Sequence, residues 1–246
     1  MNQPLVVQRP AKTGSVSYLG HIENEYDCIP PLDIEGSHYP RTNASLSPMR
    51  HVLVVLRDPC ERFVSAFHYA RQPNWEEDWD AYRVLQSIRQ VRSAVQWARL
   101  LLESAAERAS WMSVAPLEFG EPFDKWMPKT HVACHRPFGY VCGFVPMSEY
   151  VVSSAFMHYA CLGPQVERDI SRVLQHEYGR CMLRTAGGSS SHSTHSMPHH
   201  NPTGSITTNS TDREGELCNL VSALYPQDMR LWATQCSRYA QLAVRA

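Results

Sequence analysis

One run of apolar residues stands apart from its surroundings. Val52-Leu53-Val54-Val55-Leu56 has no polar position in it. So short a run, without alternation, predicts a strand buried on both faces. Arg57 ends it. Asp58 then stands where a helix N-cap would, Pro59 at the first helical position, and Glu61 three residues past the cap. That reads as a capping box and a helix to about Arg71, with Ser65 near its second turn. Arg57 and Ser65 can then face one crevice at the carboxyl edge of a sheet, where α/β proteins bind ligands. An arginine fork beside a helix N-terminus makes an anion site.

The same reading extends along the chain. Residues 4 to 9 predict a first strand, residues 10 to 17 a turn (Pro-Ala-Lys-Thr-Gly-Ser-Val-Ser), and Tyr18 onward a helix. A strand, a loop with lysine and hydroxyls, and a helix is the layout of a phosphate cradle, although the first glycine of a Walker A loop is missing. Residues 27 to 50 read as loop, with His38 just upstream of the central strand. Asn74 can cap a further helix. Apolar residues recur at three-to-four spacing from Val84 to Met112, as one long helix or a pair. The tryptophans Trp75, Trp79, Trp97 and Trp111 read as core or rim. Phe119 to Trp126 predicts a short helix, and Arg136 to Val145 a loop before a possible strand. Residues 151 to 185 predict a strand or helix and then a helix near Gln165 to Tyr178, with His176 and Glu177 on a polar face. Residues 186 to 213, rich in Ser, His, Thr, Gly and Asn, read as a flexible loop. Its histidines lack carboxylate or cysteine partners at metal-ligand spacing. Residues 214 to 244 return to helix, with a break at Pro226.

Composition narrows the function classes. At 246 residues, the chain reads as one domain, 1 to 246. A net charge of −1 excludes a broad field for nucleic acid or membrane surface, so any anion site is local. Lysine appears only at 12, 125 and 129, which singles out Lys12. No apolar stretch reaches the length of a membrane helix, and the N-terminus lacks a signal-peptide pattern. That fits a soluble cytosolic chain, or one lacking an upstream segment. Eight cysteines are scattered without a C-x-x-C pair, a pattern that allows disulfides without requiring them. Asn43 and Asn209 head glycosylation sequons.

The two anion turns lie 45 residues apart, Lys12-Thr13-Gly14-Ser15 and Arg57 with Ser65, and together suit a ligand with two separated phosphates. Here the sequence resembles a family. Lys-Thr-Gly-Ser after a strand is similar to the 5′-phosphosulfate loop of sulfotransferases. LRDPCERFVSAF looks like their 3′-phosphate motif, LRDP-x-x-R-x-x-S-x-[FY]. The likeness is greatest to Golgi carbohydrate sulfotransferases, such as the heparan sulfate 2-O and 6-O and chondroitin enzymes, and to plant tyrosylprotein sulfotransferases. The tail from Leu224 to Trp232 looks like the family's closing helix.

The resemblance implies a three-layer, P-loop-like α/β fold with a central parallel sheet flanked by helices. It implies 3′-phosphoadenosine 5′-phosphosulfate as co-substrate, no metal, a glycan or other hydroxyl acceptor, and the Golgi lumen, with cytoplasm the alternative. Carried over by position, Lys12, Thr13, Gly14, Ser15 and Ser17 would hold the 5′-phosphosulfate, and Arg57 and Ser65 the 3′-phosphate. Arg62 would brace the loop through Asp58 or Glu61. The base would be His38, with His21, His51 and Glu35 as rivals. Asn201 and Thr203 are candidates for a closing loop. A tyrosylprotein sulfotransferase, a nucleotide-dependent phosphotransferase using Lys12, and a non-catalytic nucleotide-binding homologue remain alternatives.

Overall fold

The apolar run forms the strand its pattern predicts, and three parallel partners assemble around it. A computed structural model describes residues 3–10, 13, 15–34, 49–71, 88–104, 144–153, 155–184 and 211–243; the side chains at 15, 16, 211–214 and 237–243 are left aside. The strands are β1 (Val6–Gln8), β2 (Tyr26–Cys28), β3 (Asp33–Ile34), β4 (His51–Leu56), β5 (Phe156–Cys161) and β6 (Cys181–Leu183). The helices are α1 (Ser15–Glu25), α2 (Pro59–Ala70), α3 (Ala94–Glu103), α4 (Val166–Arg172), α5 (Thr211–Leu224) and α6 (Pro226–Ala243).

The main sheet has the order β3-β1-β4-β5, with every pair parallel. Burial on both faces explains why β4 reads as unbroken apolar sequence. Leu53 and Val55 join Leu5, Val7 and Ala160 under α1 and α4. Val52, Val54 and Leu56 join Val6 and Cys161 on the other face, against Val145, Met147, Tyr150 and Cys236 of α6. A third cluster packs α2 on α3 and α5, with Trp97 fully buried at its centre. The fold is therefore α/β, a four-stranded parallel sheet flanked by helices. Among the described residues no helix is long and apolar enough to cross a membrane.

Several boundaries differ from the sequence pattern. The 27–50 stretch contains β2 and β3, strands of three and two residues, too short for periodicity to register. Strand β6 was likewise hidden inside 151–185; it pairs antiparallel with β2. Helix α1 starts at Ser15 rather than Tyr18, and α5 at Thr211. The break at Pro226 falls where expected, between α5 and α6. The helices expected after Asn74 and at Phe119–Trp126, together with Trp75, Trp79, Trp111 and residues 186–210, lie outside the described residues.

Three disulfides cross-link these elements. Cys28–Cys181 joins β2 to β6, Cys60–Cys218 joins α2 to α5, and Cys161–Cys236 joins β5 to α6. Among the described residues no cysteine is free.

A buried charged hub ties the remaining pieces. Arg62 is 3% exposed and Asp228 1%. Arg62 Nη2 donates to the Val145 carbonyl at 2.6 Å, and its Nη1 lies 3.9 Å from Asp228 Oδ2. Asp228 also accepts from the backbone N–H groups of Met147 and Ser148, at 2.7 and 2.8 Å. Arg62 thus braces the 144–150 segment against α6 and not the Asp58 loop, because it points inward from α2 whereas Glu61 points to solvent. Asp228→Ala would take a carboxylate from beside a buried guanidinium and leave two buried backbone donors without their acceptor. The expected cost is about 3–5 kcal/mol, read as a lower urea midpoint; a loss below about 1 kcal/mol would contradict this role.

Candidate functional site

Strand order places the strands that precede the two predicted anion turns side by side. β1 and β4 are adjacent and parallel, with Gln8 opposite Val54. The chain leaves β1 toward α1 on one face of the sheet and leaves β4 toward α2, whose partners lie beyond the other face. This is a topological switch point, and the crevice outside the carboxyl ends of β1 and β4 is where such sheets bind ligands. Thr13 follows the end of β1 by five residues, and Arg57 directly follows β4.

Arg57 is held in place from its own helix. Its Nε donates to Glu61 Oε2 at 3.4 Å, one helical turn on. Its side chain is 15% exposed, whereas Glu61 is 68% exposed. Burial pushes the guanidinium below the ordinary arginine value, and Glu61 pulls it back up; it stays charged. Ser65, half-buried, lies a further turn along the same face, since positions four apart on a helix are neighbours. Arg57, Glu61 and Ser65 thus form one stripe leading from the strand tip.

The helix cap corrects one expectation. The Asp58 carboxylate accepts from the N–H groups of Cys60 and Glu61, at 2.8 and 3.1 Å. Glu61 bonds to Arg57 and so does not complete a reciprocal capping box. The first donors of α2 are therefore satisfied by the protein's own carboxylate. The amides at this turn are thus closed to an outside anion, which leaves side chains as its possible partners.

On the β1 side, Thr13 is fully buried and its hydroxyl donates to the Pro10 carbonyl at 2.7 Å. Tyr18, also fully buried, donates its hydroxyl to the Gln8 carbonyl at 3.3 Å. Burial raises the Tyr18 phenol well above its usual range, so it stays a neutral donor. Thr13 is thus tied back to Pro10, and Tyr18 to the last residue of β1. Ser17 is half-buried in the first turn of α1. Ser15 opens α1 in the backbone. Lys12, Gly14, Glu35, His38, Asn201 and Thr203 lie outside the described residues. Among those described, no group of three or more His, Cys, Asp or Glu side chains is placed to hold a metal ion.

His21 lies in the middle of α1, its ring edge-on to Tyr26 at 5.8 Å. His51 is the first residue of β4 and Arg57 follows the last, so the length of the strand, ~16 Å at about 3.3 Å per residue, separates His51 from the carboxyl-edge crevice. It therefore cannot serve as a base there. Its Nδ1 instead lies 2.8 Å from His158 Nε2, and His158 Nδ1 lies 2.7 Å from Glu177 Oε2. This cluster went unseen in the sequence, where Glu177 looks like an ordinary polar helix position. The available signal was a histidine opening the apolar run and another within 151–185, and pairing them requires the β4–β5 register.

Both imidazoles sit below the ordinary histidine range. Burial is the main cause in each, followed by His158 and Arg180 for His51, and by Arg172 for His158. The unfolded chain protonates these groups from about pH 6.5 downward, while the folded chain resists. More protons then bind the unfolded state, so stability falls as pH drops below that value. Unfolding midpoints measured between about pH 7.5 and 5 are expected to decline, and His158→Gln to decline less steeply. Equal slopes in the two proteins would contradict this assignment.

No protein-family model, curated protein or solved structure matches this chain, so the reading of the carboxyl-edge crevice rests on its own residues.

Proposed function

We propose that the chain is a sulfotransferase that moves a sulfuryl group from 3′-phosphoadenosine 5′-phosphosulfate to a hydroxyl of a glycan acceptor. One observation supports the reading most: the strands that precede the two motifs, β1 and β4, are adjacent and parallel at a switch point. Each is followed by the residues of a sulfotransferase-like motif. In this reading the sheet is the P-loop-like core of that fold.

Arg57 and Ser65 take the 3′-phosphate. The Arg57–Glu61 contact is a single long bond to an exposed carboxylate, worth a few tenths of a kcal/mol. An incoming phosphate displaces Glu61 at little cost and gains a charge-assisted bond. Thr13 holds the shape of the 5′ loop, while Lys12, Gly14, Ser15 and Ser17 meet the phosphosulfate. The acceptor oxygen attacks sulfur in line, and negative charge grows on the bridging oxygen of the leaving phosphate. Lys12 stabilises that charge where it develops. His38 takes the acceptor proton, a task suited to a group titrating near neutrality.

Location in the Golgi lumen belongs to the same proposal. The three disulfides among the described residues suit an oxidising compartment better than a reducing cytosol. A tyrosine acceptor and a donor-binding chain without turnover are the variants that transfer assays separate from a glycan enzyme.

Arg57→Ala is expected to weaken binding of 3′-phosphoadenosine 5′-phosphate by about 1.5–3 kcal/mol, the loss of one charged hydrogen-bond set, measured by calorimetry. Unchanged affinity would remove Arg57 from the site. Glu61→Gln should tighten the same ligand several-fold, since it removes the competing carboxylate; weaker binding would count against the exchange. With labelled donor and a glycan panel, His38→Ala should abolish most transfer while leaving nucleotide affinity nearly intact. Normal transfer would place the base elsewhere.

A further inference from the structure

At the amino edge of the sheet, Glu177, His158 and His51 form a chain of hydrogen bonds that the carboxyl-edge crevice does not use. Glu177 closes a π-helical turn, Val173–Glu177, in which the Tyr178 N–H reaches back to the Val173 carbonyl at 2.8 Å. Such turns are rare and concentrate at functional sites. Gly179, at φ +72, then leaves the helix in a conformation suited to glycine. The carboxylate is fixed from both sides: Arg172 pairs with Oε1, and His158 Nδ1 meets Oε2. The His51 and His158 rings stack with centroids 5.1 Å apart and 7° between planes. Phe156 and Tyr178 flank His51, with centroids at 5.1 and 5.4 Å.

These contacts fix both tautomers. A carboxylate only accepts, so His158 Nδ1 carries a proton. In the neutral ring His158 Nε2 is then an acceptor, so the His51 proton lies on Nδ1. His51 Nε2 is left with its lone pair, and nothing among the described residues hydrogen-bonds it. His51 itself is half-buried and reachable from solvent. A proton arriving at Nε2 breaks none of these bonds, whereas a second, on His158, removes the acceptor that His51 needs.

We propose that Glu177, His158 and His51 are a relay that presents Nε2 of His51 as a nucleophilic, proton-accepting site for an activated acyl group, beside the aromatic wall of Phe156 and Tyr178. The lone pair of Nε2 attacks the acyl carbon and the bond to the leaving oxygen breaks, with its electron pair departing on that oxygen. The acylated ring becomes a strong acid and passes its Nδ1 proton to His158 Nε2. The resulting His158 imidazolium faces the Glu177 carboxylate. Other charges nearby are Arg172 on Glu177, Arg180 over the Tyr178 ring at 5.7 Å, and the Arg50–Asp33 pair beside the start of β4. Arg172 and Arg180 disfavour resident protons on the imidazoles and so keep Nε2 available.

Diethyl pyrocarbonate is the probe, with modification at each histidine followed by peptide mass spectrometry at pH 7.5 on the full chain. His51 should react first. Glu177→Gln should slow it about tenfold, near the lower end of what a charged hydrogen bond contributes, while His68 on α2 keeps its rate. Equal rates at His51 in the two proteins would overturn the relay. Should the variant fail to fold, long-range proton–nitrogen NMR of the unmodified protein decides. Nδ1–H tautomers at both His51 and His158 are expected, and an Nε2–H tautomer at His51 would refute the proposal.

Discussion

A guanidinium and a carboxylate, both withdrawn from water, fix the geometry on which the carboxyl edge depends. Arg62 projects from α2 four residues after the Asp58 cap, and Asp228 sits in the first turn of α6. Desolvating two charges is costly, and their 3.9 Å separation alone would not offset it. The surplus comes from the neutral partners: the Val145 carbonyl for Arg62, and the Met147 and Ser148 amides for Asp228. Tyr225 adds a bond from its hydroxyl to the Phe144 carbonyl at 3.0 Å. Four side-chain bonds thus lock the 144–148 backbone against two helices. The Cys60–Cys218 bond ties the start of α2 to α5 as well. The turn bearing Arg57 is therefore presented from a rigid base, as a preorganised binding site requires.

The same turn shows how a protein can use a helix N-terminus without opening it to a ligand. Asp58 satisfies the first amides, so the helix is capped whatever is bound. Anion recognition then falls to side chains that can change partners. Arg57 meets an exposed glutamate through a long bond, a contact that a phosphate can replace. The β1 side differs. Thr13 and Tyr18 direct their hydroxyls to backbone carbonyls within the chain.

How much of this was legible follows from the range of each signal. The β4–α2 unit could be read almost residue by residue, because an unbroken apolar run, an N-cap and an N1 proline are all local. The break at Pro226 was legible for the same reason. Strands β2, β3 and β6 were not, since two or three residues cannot display a period. A local pattern ties Arg62 to Asp58 or Glu61, whereas its side-chain contacts at Val145 and Asp228 lie 83 and 166 positions away in sequence. The His51–His158 contact likewise depends on strand register. Of the candidate site, Arg57 follows the last residue of β4, Ser65 lies in the second turn of α2 and Ser17 in the first of α1, while the Thr13 hydroxyl is engaged by the Pro10 carbonyl.

The claim at the centre of the account is that the carboxyl-edge crevice recognises two separated phosphates. Isothermal titration of the full chain with 3′-phosphoadenosine 5′-phosphate and with adenosine 5′-phosphate tests it most directly, because the two differ only in the group assigned to Arg57 and Ser65. The account predicts binding at least about tenfold tighter for the bisphosphate, the factor expected for one charged hydrogen-bond set. Equal affinities, or no heat from either nucleotide, would contradict it.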